Sequence, residues 1–271
     1  MADFTAKDVQ RLRQVTGAGM MDAKRALTEA EGNFEAAKKR LQEQGLASMS
    51  KREDRENTEG AVALAVSGTA AALVWLRSET DFVGKSPEFV KLANAVAEGV
   101  VAEGEEGTGR FEEAINELKV ALKENIELGR VVRFEAGPDE VLDTYLHVQS
   151  DRGVNGVLVE VAGGDDALAH EVALHVSFSR PSVLRRDEVA TTEIDEQRAI
   201  LENQTRNEGK PEQALPKIVE GKLGGWFKRV GSKDTPGGVL LEQPWVHDEK
   251  QTVEKALGAA TIVRFAQVEI G

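Results

Sequence analysis

An internal repeat constrains the fold of this chain more than any other feature of the sequence. The segment Val131-Val132-Arg133-Phe134 reappears as Ile262-Val263-Arg264-Phe265, which is an offset of 131 positions (262 − 131). Each copy follows a predicted β-hairpin and a predicted helix, at 61–76 and 87–101 in the first half and at 144–161 and 167–176 in the second. The recurring order of strands and helices predicts an α+β protein with a duplicated core. We expect each half-core to hold a small antiparallel three-stranded sheet with helices.

The first 55 residues predict a separate module of three short helices. Thr5 and Asp8 have the spacing of a capping box, Gly17-Ala18-Gly19 breaks the first helix, and Gly45 is expected to end the third. The predicted apolar positions are Val9, Leu12 and Val15, then Met21, Ala26, Leu27 and Ala30, then Phe34, Ala37 and Leu41. Three helices of this size give a marginal core, which favours a docking module over a catalytic body.

The composition of the chain changes after this module and sets the expected domain boundaries. The charged run at 51–59 has no apolar periodicity, which is typical of a linker or a solvated helix. We therefore expect the docking module with its linker at 1–55, the first half-core at 56–139 and the second half-core at 140–271.

A helical insertion is expected within the second half-core, at 187–230. Helical patterns at 187–208 and 216–230 surround Gly209-Lys210-Pro211. The apolar positions are Val219, Leu223, Trp226 and Val230 in the second helix, at coiled-coil spacing, and Ile194 and Leu201 in the first. This pattern predicts an antiparallel helical hairpin, although two helices packed on the core would fit as well. Its apolar seam suits either self-association or contact with a partner.

Glu79-Thr80-Asp81-Phe82-Val83 is the strongest functional signal in the sequence. It follows Ala71-Ala72-Leu73-Val74-Trp75-Leu76, an unbroken apolar run that predicts a buried strand. Phe82 is therefore expected on a loop that leaves the sheet, beside the carboxylate of Asp81. An aromatic side chain in such a place suits insertion into a pocket of a partner. The alternative is that Phe82 folds back and covers its own core.

The remaining residues argue against an enzyme or a metalloprotein. The chain contains no Cys, and His170 and His175 are five residues apart, which places them on different sides of a helix. Gly84-Lys85-Ser86 resembles the end of a phosphate-binding loop, but Glu79 stands where that motif needs its first glycine. We expect no catalytic residues, no bound metal and no cofactor.

The net charge and the N-terminal sequence limit the expected partners and location. A formal charge of -13 disfavours direct binding to nucleic acid or to an anionic membrane, so a protein is the expected partner. Met1-Ala2-Asp3-Phe4 does not resemble a secretory signal, and no apolar run has the roughly 18 residues that span a membrane. We expect a cytoplasmic protein.

Two long motifs in this order resemble the signatures of bacterial elongation factor Ts. The first runs from Leu12 to Leu27 and reads LRQVTGAGMMDAKRAL, and the second is Glu79-Thr80-Asp81-Phe82-Val83. The helical hairpin with Gly209-Lys210-Pro211 also matches this family, so the resemblance extends over nearly the whole chain. Gly84 and Ser86 depart from the Ala and Asn that are more usual in the family.

The resemblance implies a guanine-nucleotide exchange factor for the GTPase elongation factor Tu. By resemblance, Thr80, Asp81, Phe82 and Val83 would intrude near the Mg²⁺ ion of that partner. The resemblance also implies that the N-terminal module has a ubiquitin-associated-like fold. Gly19, Met20 and Met21 would belong to the docking surface of this module, although Met21 also fits a core position. His147 would be a further partner contact, whereas its place on a predicted strand is typical of a structural histidine.

Overall fold

The computed structural model describes residues 4–49 and 55–271, so residues 51–54 of the expected linker lie outside it. The chain divides into two compact units, which are described separately. The first comprises Met1–Arg133, Leu146–Gly156 and Val268–Gly271, and the second comprises Phe134–Tyr145 and Val157–Gln267. Helices and antiparallel strands occur in the expected order, which confirms the α+β class. The domain boundaries expected from the sequence stay predictions.

Three helices begin the first unit, at Ala6–Thr16 (α1), Met20–Glu29 (α2) and Phe34–Met49 (α3). The capping box at the start of α1 is confirmed, since Thr5 and Asp8 exchange side-chain to backbone hydrogen bonds. Gly17 ends α1 with φ of 65°, a left-handed conformation that glycine adopts without strain. The buried apolar side chains of the three helices are Val9, Leu12, Ala23, Ala26, Leu27, Ala37 and Leu41.

Three expectations about this module are wrong. Val15 is 48% exposed and Met21 is 74% exposed, so neither is a core residue. The buried position at the end of α1 belongs to Thr16, because its hydroxyl donates to the carbonyl of Leu12 at 2.7 Å. Gly45 does not end α3. A Cβ at Gly45 would lie 2.6 Å from Cγ1 of Val120, so this glycine permits close packing of the helix instead.

The sheet of the first unit is built on a long hairpin. Its elements follow the chain as β1 (Glu59–Ser67), β2 (Ala70–Ser78), α4 (Asp81–Gly84), α5 (Pro87–Glu103), α6 (Glu112–Leu122) and β3 (Glu127–Glu135). Strand β1 pairs with β2 in antiparallel register from Glu59↔Ser78 to Ser67↔Ala70, and β3 lies beside β2. Apolar side chains of β1 and β2 pack against Phe89, Val96 and Val100 of α5. The predicted buried strand at 71–76 is confirmed, because β2 is buried there on both faces except at Trp75.

The second half of the chain repeats the order of two strands, helix and strand. These elements are β4 (Glu140–Gln149), β5 (Arg152–Ala162), α7 (Asp166–Ser179) and, after an insertion, β8 at Thr261–Glu269. Strand β5 pairs with both β4 and β8, and Asp165 caps α7 by accepting from the Leu168 N–H at 2.9 Å. The core of the second unit lies between β5, α7 and the segment around Trp245.

The insertion contains a helical hairpin, followed by a small β-hairpin and a short helix. Its elements are α8 (Thr191–Asn207), α9 (Leu215–Phe227), β6 (Pro244–Trp245), β7 (Asp248–Thr252) and α10 (Val253–Leu257). Helices α8 and α9 pack on each other, and Leu201, Val219, Leu223 and Phe227 are buried between them and Val239.

The predicted seam of the helical hairpin is wrong in part. Leu215, Val219, Leu223 and Phe227 are buried, which is a spacing of four residues and not the predicted 4-3-4. Trp226 is only partly buried, and Val230 lies beyond the end of α9 and is exposed. The guanidinium of Arg229 lies 4.4 Å from the centroid of the Trp226 ring, which is a cation–π contact.

Candidate functional site

Phe82 lies on a single exposed helical turn, α4, directly after the buried strand β2. The loop expected there is wrong, because Gly84 N–H donates to the Thr80 carbonyl at 3.2 Å and Lys85 N–H donates to the Asp81 carbonyl at 3.0 Å. Thr80 is the N-cap, and its hydroxyl oxygen accepts from the Val83 N–H. Val83 packs on the core, whereas Phe82 is 83% exposed. The alternative in which Phe82 covers its own core is therefore wrong.

Asp81 stands beside Phe82 and is held in its ionised form. Its carboxylate forms an ion pair with Lys85, one helical turn further along the chain. The hydrogen bond from Lys85 lowers the pKa of Asp81, and the positive charges of Lys85 and Arg152 act in the same direction. The turn therefore presents an exposed aromatic ring next to a carboxylate at neutral pH.

The last residue of α4, Gly84, is buried against β1 and the guanidinium of Arg152. Arg152 donates to the carbonyl oxygen of Gly60 through Nη1 and to Oε2 of Glu59, 3.1 Å away, through Nη2. A Cβ at Gly84 would lie 2.6 Å from that carbonyl oxygen, so glycine lets the turn sit directly on β1. Gly84-Lys85-Ser86 is thus a packing element of the turn.

Glu124 is a residue of this site that the sequence did not reveal. Its carboxylate accepts from Glu79 N–H and Thr80 N–H, both at 3.1 Å, and from Thr80 Oγ1 at 2.5 Å. Glu79 in turn accepts from Asn125 N–H at 2.7 Å and pairs with Arg55 at 3.2 Å. Two carboxylates thus tie the segment before α4 to the segment after α6. No local spacing signals this arrangement, since the partners are 44 to 46 positions apart.

The start of α2 forms a second exposed group of candidate residues. Gly19 is the N-cap in an extended conformation, and Met20 and Met21 follow it with exposed side chains. Gly19 also lines a cavity of about 420 Å³, together with Gly17, Asp22, Arg25 and Lys123, among others. Exposed and flexible apolar side chains such as those of Met20 and Met21 suit contact with another protein.

His147 lies on β4 in the first unit and is exposed. The next residue, Val148, is 56% exposed, and its side chain points to the opposite face of the strand. The strand position of His147 favoured a structural role in the core, and this prediction is wrong because the side chain is exposed. That description fits His175 instead, which stacks on Trp245 and is fully buried.

The acidic and histidine side chains of residues 4–49 and 55–271 do not cluster as a metal site requires. No group of three or more His, Cys, Asp or Glu residues in that part of the chain is arranged to hold a metal ion. His170 bonds Asp143 at 2.9 Å on the surface, whereas His175 bonds Gln243 in the core. Among the same residues, no helix is both long enough and apolar enough to cross a membrane.

Comparison with known proteins identifies relatives over the full length of the chain. The family described as Elongation factor TS matches residues 79–271. Elongation factor Ts of Clavibacter michiganensis subsp. michiganensis is 41% identical over 285 aligned positions, which cover 100% of both chains. The proteins of the same name from Mycobacterium tuberculosis (strain ATCC 25177 / H37Ra) and Deinococcus radiodurans are 43% and 40% identical, over 100% and 98% of this chain and 99% of each relative.

Proposed function

The chain belongs to the elongation factor Ts family of translation elongation factors, and from this premise we propose that it releases GDP from elongation factor Tu by inserting α4 beside the nucleotide. The single observation that carries the proposal is Phe82, an aromatic ring that is 83% exposed on a turn with a buried base. An exposed ring on a fixed support suits a contact made with a partner, since aromatic anchors dominate binding energy at interfaces.

The chemistry of the partner explains how a non-covalent contact can release a nucleotide. A GTPase holds its phosphates through backbone N–H groups and through Mg²⁺, which neutralises their charge. In the proposal, Phe82 and Asp81 enter near that ion and disturb its coordination, with Thr80 and Val83 supporting them. Loss of the ion leaves phosphate charge uncompensated, so GDP dissociates. Linkage requires that a new nucleotide weaken the factor equally, so the factor stays bound until GTP enters.

Two further contacts would position the factor on its partner. Gly19, Met20 and Met21 would belong to the surface of the N-terminal module that docks on the nucleotide domain. His147 would make another contact from β4. Their exposure supports this assignment, because binding residues must be accessible before the complex forms.

The factor would act in the cytoplasm, where it would perform no covalent chemistry and make no direct contact with nucleic acid or membrane. Self-association through the helical hairpin also belongs to the proposal. Since Val219 and Leu223 are buried within the hairpin, pairing of two copies would use its outer faces.

The experiment that tests the proposal measures release of labelled GDP from purified elongation factor Tu. The chain should accelerate release when unlabelled nucleotide is in excess, and the acceleration should saturate as the concentration of the chain increases. An adaptor that only tethers the GTPase would bind it and leave the release rate unchanged. If the chain binds elongation factor Tu and does not accelerate GDP release, the exchange activity is refuted but the identity of the partner is not.

A further inference from the structure

We propose that Glu124 is a positioning residue for nucleotide exchange, because its carboxylate holds the turn that presents Asp81 and Phe82. This inference rests on the proposed function and extends it to a residue outside the two family motifs. Glu124 lies after the end of α6 and is half-buried. Its carboxylate bonds the two residues that precede α4, and through them it acts on the turn.

The contacts of Glu124 are concentrated on the two residues that precede α4. One carboxylate oxygen accepts from the N–H groups of Glu79 and Thr80, and the other accepts from the Thr80 hydroxyl. Hydrogen bonds to an ionised acceptor are shorter and stronger than those between neutral groups. Three such bonds fix both the backbone and the capping side chain at the start of the turn. We call this set of bonds the Glu124 clamp.

The clamp is reinforced from the opposite direction. Glu79 accepts from the N–H of Asn125, the residue directly after Glu124. The segment before α4 and the segment after α6 therefore each supply donors and a carboxylate to the other. A movement of Thr80 relative to Glu124 would break bonds of both carboxylates at once.

The turn depends on such external support because it is too short to be stable alone. Helix α4 has four residues, and isolated helices below about a dozen residues are marginal in water. Its C-terminal end is fixed by the packing of Gly84 on β1, and its N-terminal end is fixed by the clamp. Phe82 lies between these two points, so the direction of its ring follows from both.

Because the clamp orders the turn before the partner binds, its loss should change the rate of nucleotide exchange. A turn that is already ordered loses less conformational freedom when it enters a partner than a mobile turn loses. Without the clamp, Phe82 would sample several directions and reach the nucleotide site less often. The expected loss is in the maximal rate of stimulated GDP release, and it should exceed any loss in the folded fraction.

The test compares Glu124→Ala with Glu124→Gln, and with Glu127→Ala as the matched control. Glu127 bonds the buried side chain of Asn57 at 2.9 Å, so its loss also removes a carboxylate contact in the same unit. Glu124→Ala should lower the maximal rate about tenfold. Glu124→Gln should stay within about threefold of the native protein, because its amide oxygen still accepts from two backbone N–H groups. Glu127→Ala should lower the melting temperature and keep the maximal rate.

A double variant separates positioning from general stability. Since Glu124 acts through the turn that carries Phe82, Glu124→Ala should lower the rate much less in the Phe82→Ala background than in the native protein. Their effects on melting temperature should instead add. If the double variant shows the product of the two single rate losses, or if Glu124→Ala releases GDP at the native rate, the inference is overturned.

Amide hydrogen exchange measures the effect of the Glu124 clamp on the order of the turn in the absence of the GTPase. In Glu124→Ala, the N–H groups of Glu79, Thr80 and Val83 should exchange faster, while those of β1 and β2 keep their protection. Unchanged protection at these three amides would also overturn the inference. A native protein that fails to accelerate GDP release would instead refute the proposed function, and the two failures are therefore distinguishable.

Discussion

Replacing Phe82 with Ala separates partner binding from folding, because the ring is exposed in the folded protein. The side chain of a Phe buries about 150–250 Å² when it is fully enclosed. Because Phe82 is 83% exposed, only a small remainder of that area is covered in the folded protein. At about 25 cal/mol per Å², the remainder is worth less than about 1 kcal/mol of folding free energy. The melting temperature of Phe82→Ala should therefore stay close to that of the native protein.

The exposed part of the same ring predicts a large effect of Phe82→Ala on the rate of GDP release. The exposed part of the ring is available for burial in the partner, and an anchor of this kind is worth about 2 kcal/mol or more. A loss of 2 kcal/mol corresponds to roughly 30-fold, since each 1.4 kcal/mol is a factor of ten. Stimulated GDP release should fall by this amount when rate is measured against concentration of the factor below saturation.

A control on the other unit makes the comparison specific. Phe178 on α7 is 62% exposed, so Phe178→Ala removes a similar ring from a similar environment. It should leave both melting temperature and GDP release near their native values. The reasoning is refuted if Phe82→Ala melts several degrees lower and its folded fraction still exchanges nucleotide at the native rate.

Three further predictions concern the supports of the fold. Gly60→Ala should destabilise the first unit by a few kcal/mol in chemical denaturation, because φ is +131° there and the new Cβ would overlap the Leu76 carbonyl oxygen. Gly68→Ala is the control and should cost about 1 kcal/mol, because φ is +59° there and the space around it is open. Burial lowers the pKa of His175 from 6.5 to about 4, so the native state resists protonation and stability should fall as pH decreases from 6.5 towards 4, by up to about 3 kcal/mol at 1.36 kcal/mol per pKa unit. Denaturation of the native protein and His175→Gln between pH 7 and 4.5 checks this, and an equal pH dependence in both proteins would contradict it. Replacement of residues 187–230 by a short Gly-Ser loop should keep the rest of the chain folded and change self-association or affinity for the GTPase; collapse of the whole fold would show that the hairpin belongs to the main core.

Local chemistry accounts for the parts of the structure that could be predicted. The capping box at Thr5 and Asp8 and the cap at Asp165 depend on residues three positions apart, so their sequence spacing already defines the contact. The hairpin of β1 and β2 follows from two apolar runs joined by a short turn. The place of Phe82 beyond the end of β2 was predictable for the same reason, since the change from an apolar run to polar residues shows where the chain leaves the sheet, whereas the helical turn and the exposure of the ring were not.

The errors share a different cause, which is contact between distant parts of the chain. Gly45 has the composition of a helix end, but the approach of Val120 decides its role. Trp226 has the right spacing for the seam of the helical hairpin, but Phe227 is buried instead, in a cluster with Leu201 and Val239. Helical periodicity states how often an apolar residue recurs, and it does not state which of two adjacent apolar residues faces the neighbour.

Glu124 shows how this limit applies to function. The N–H groups of Glu79 and Thr80 precede a four-residue turn, and such groups need acceptors when they are withdrawn from water. The sequence therefore implies that an acceptor exists, but the chain contains 47 acidic residues and spacing does not select among them. The fold selects Glu124 by placing the end of α6 beside the end of β2. A residue that presents itself to a partner can thus be found from local sequence, whereas the residue that orients it is defined only by tertiary structure. For this reason, variants of Glu124 test the proposed role of α4 in GDP release by a residue that lies outside the motif at 79–83.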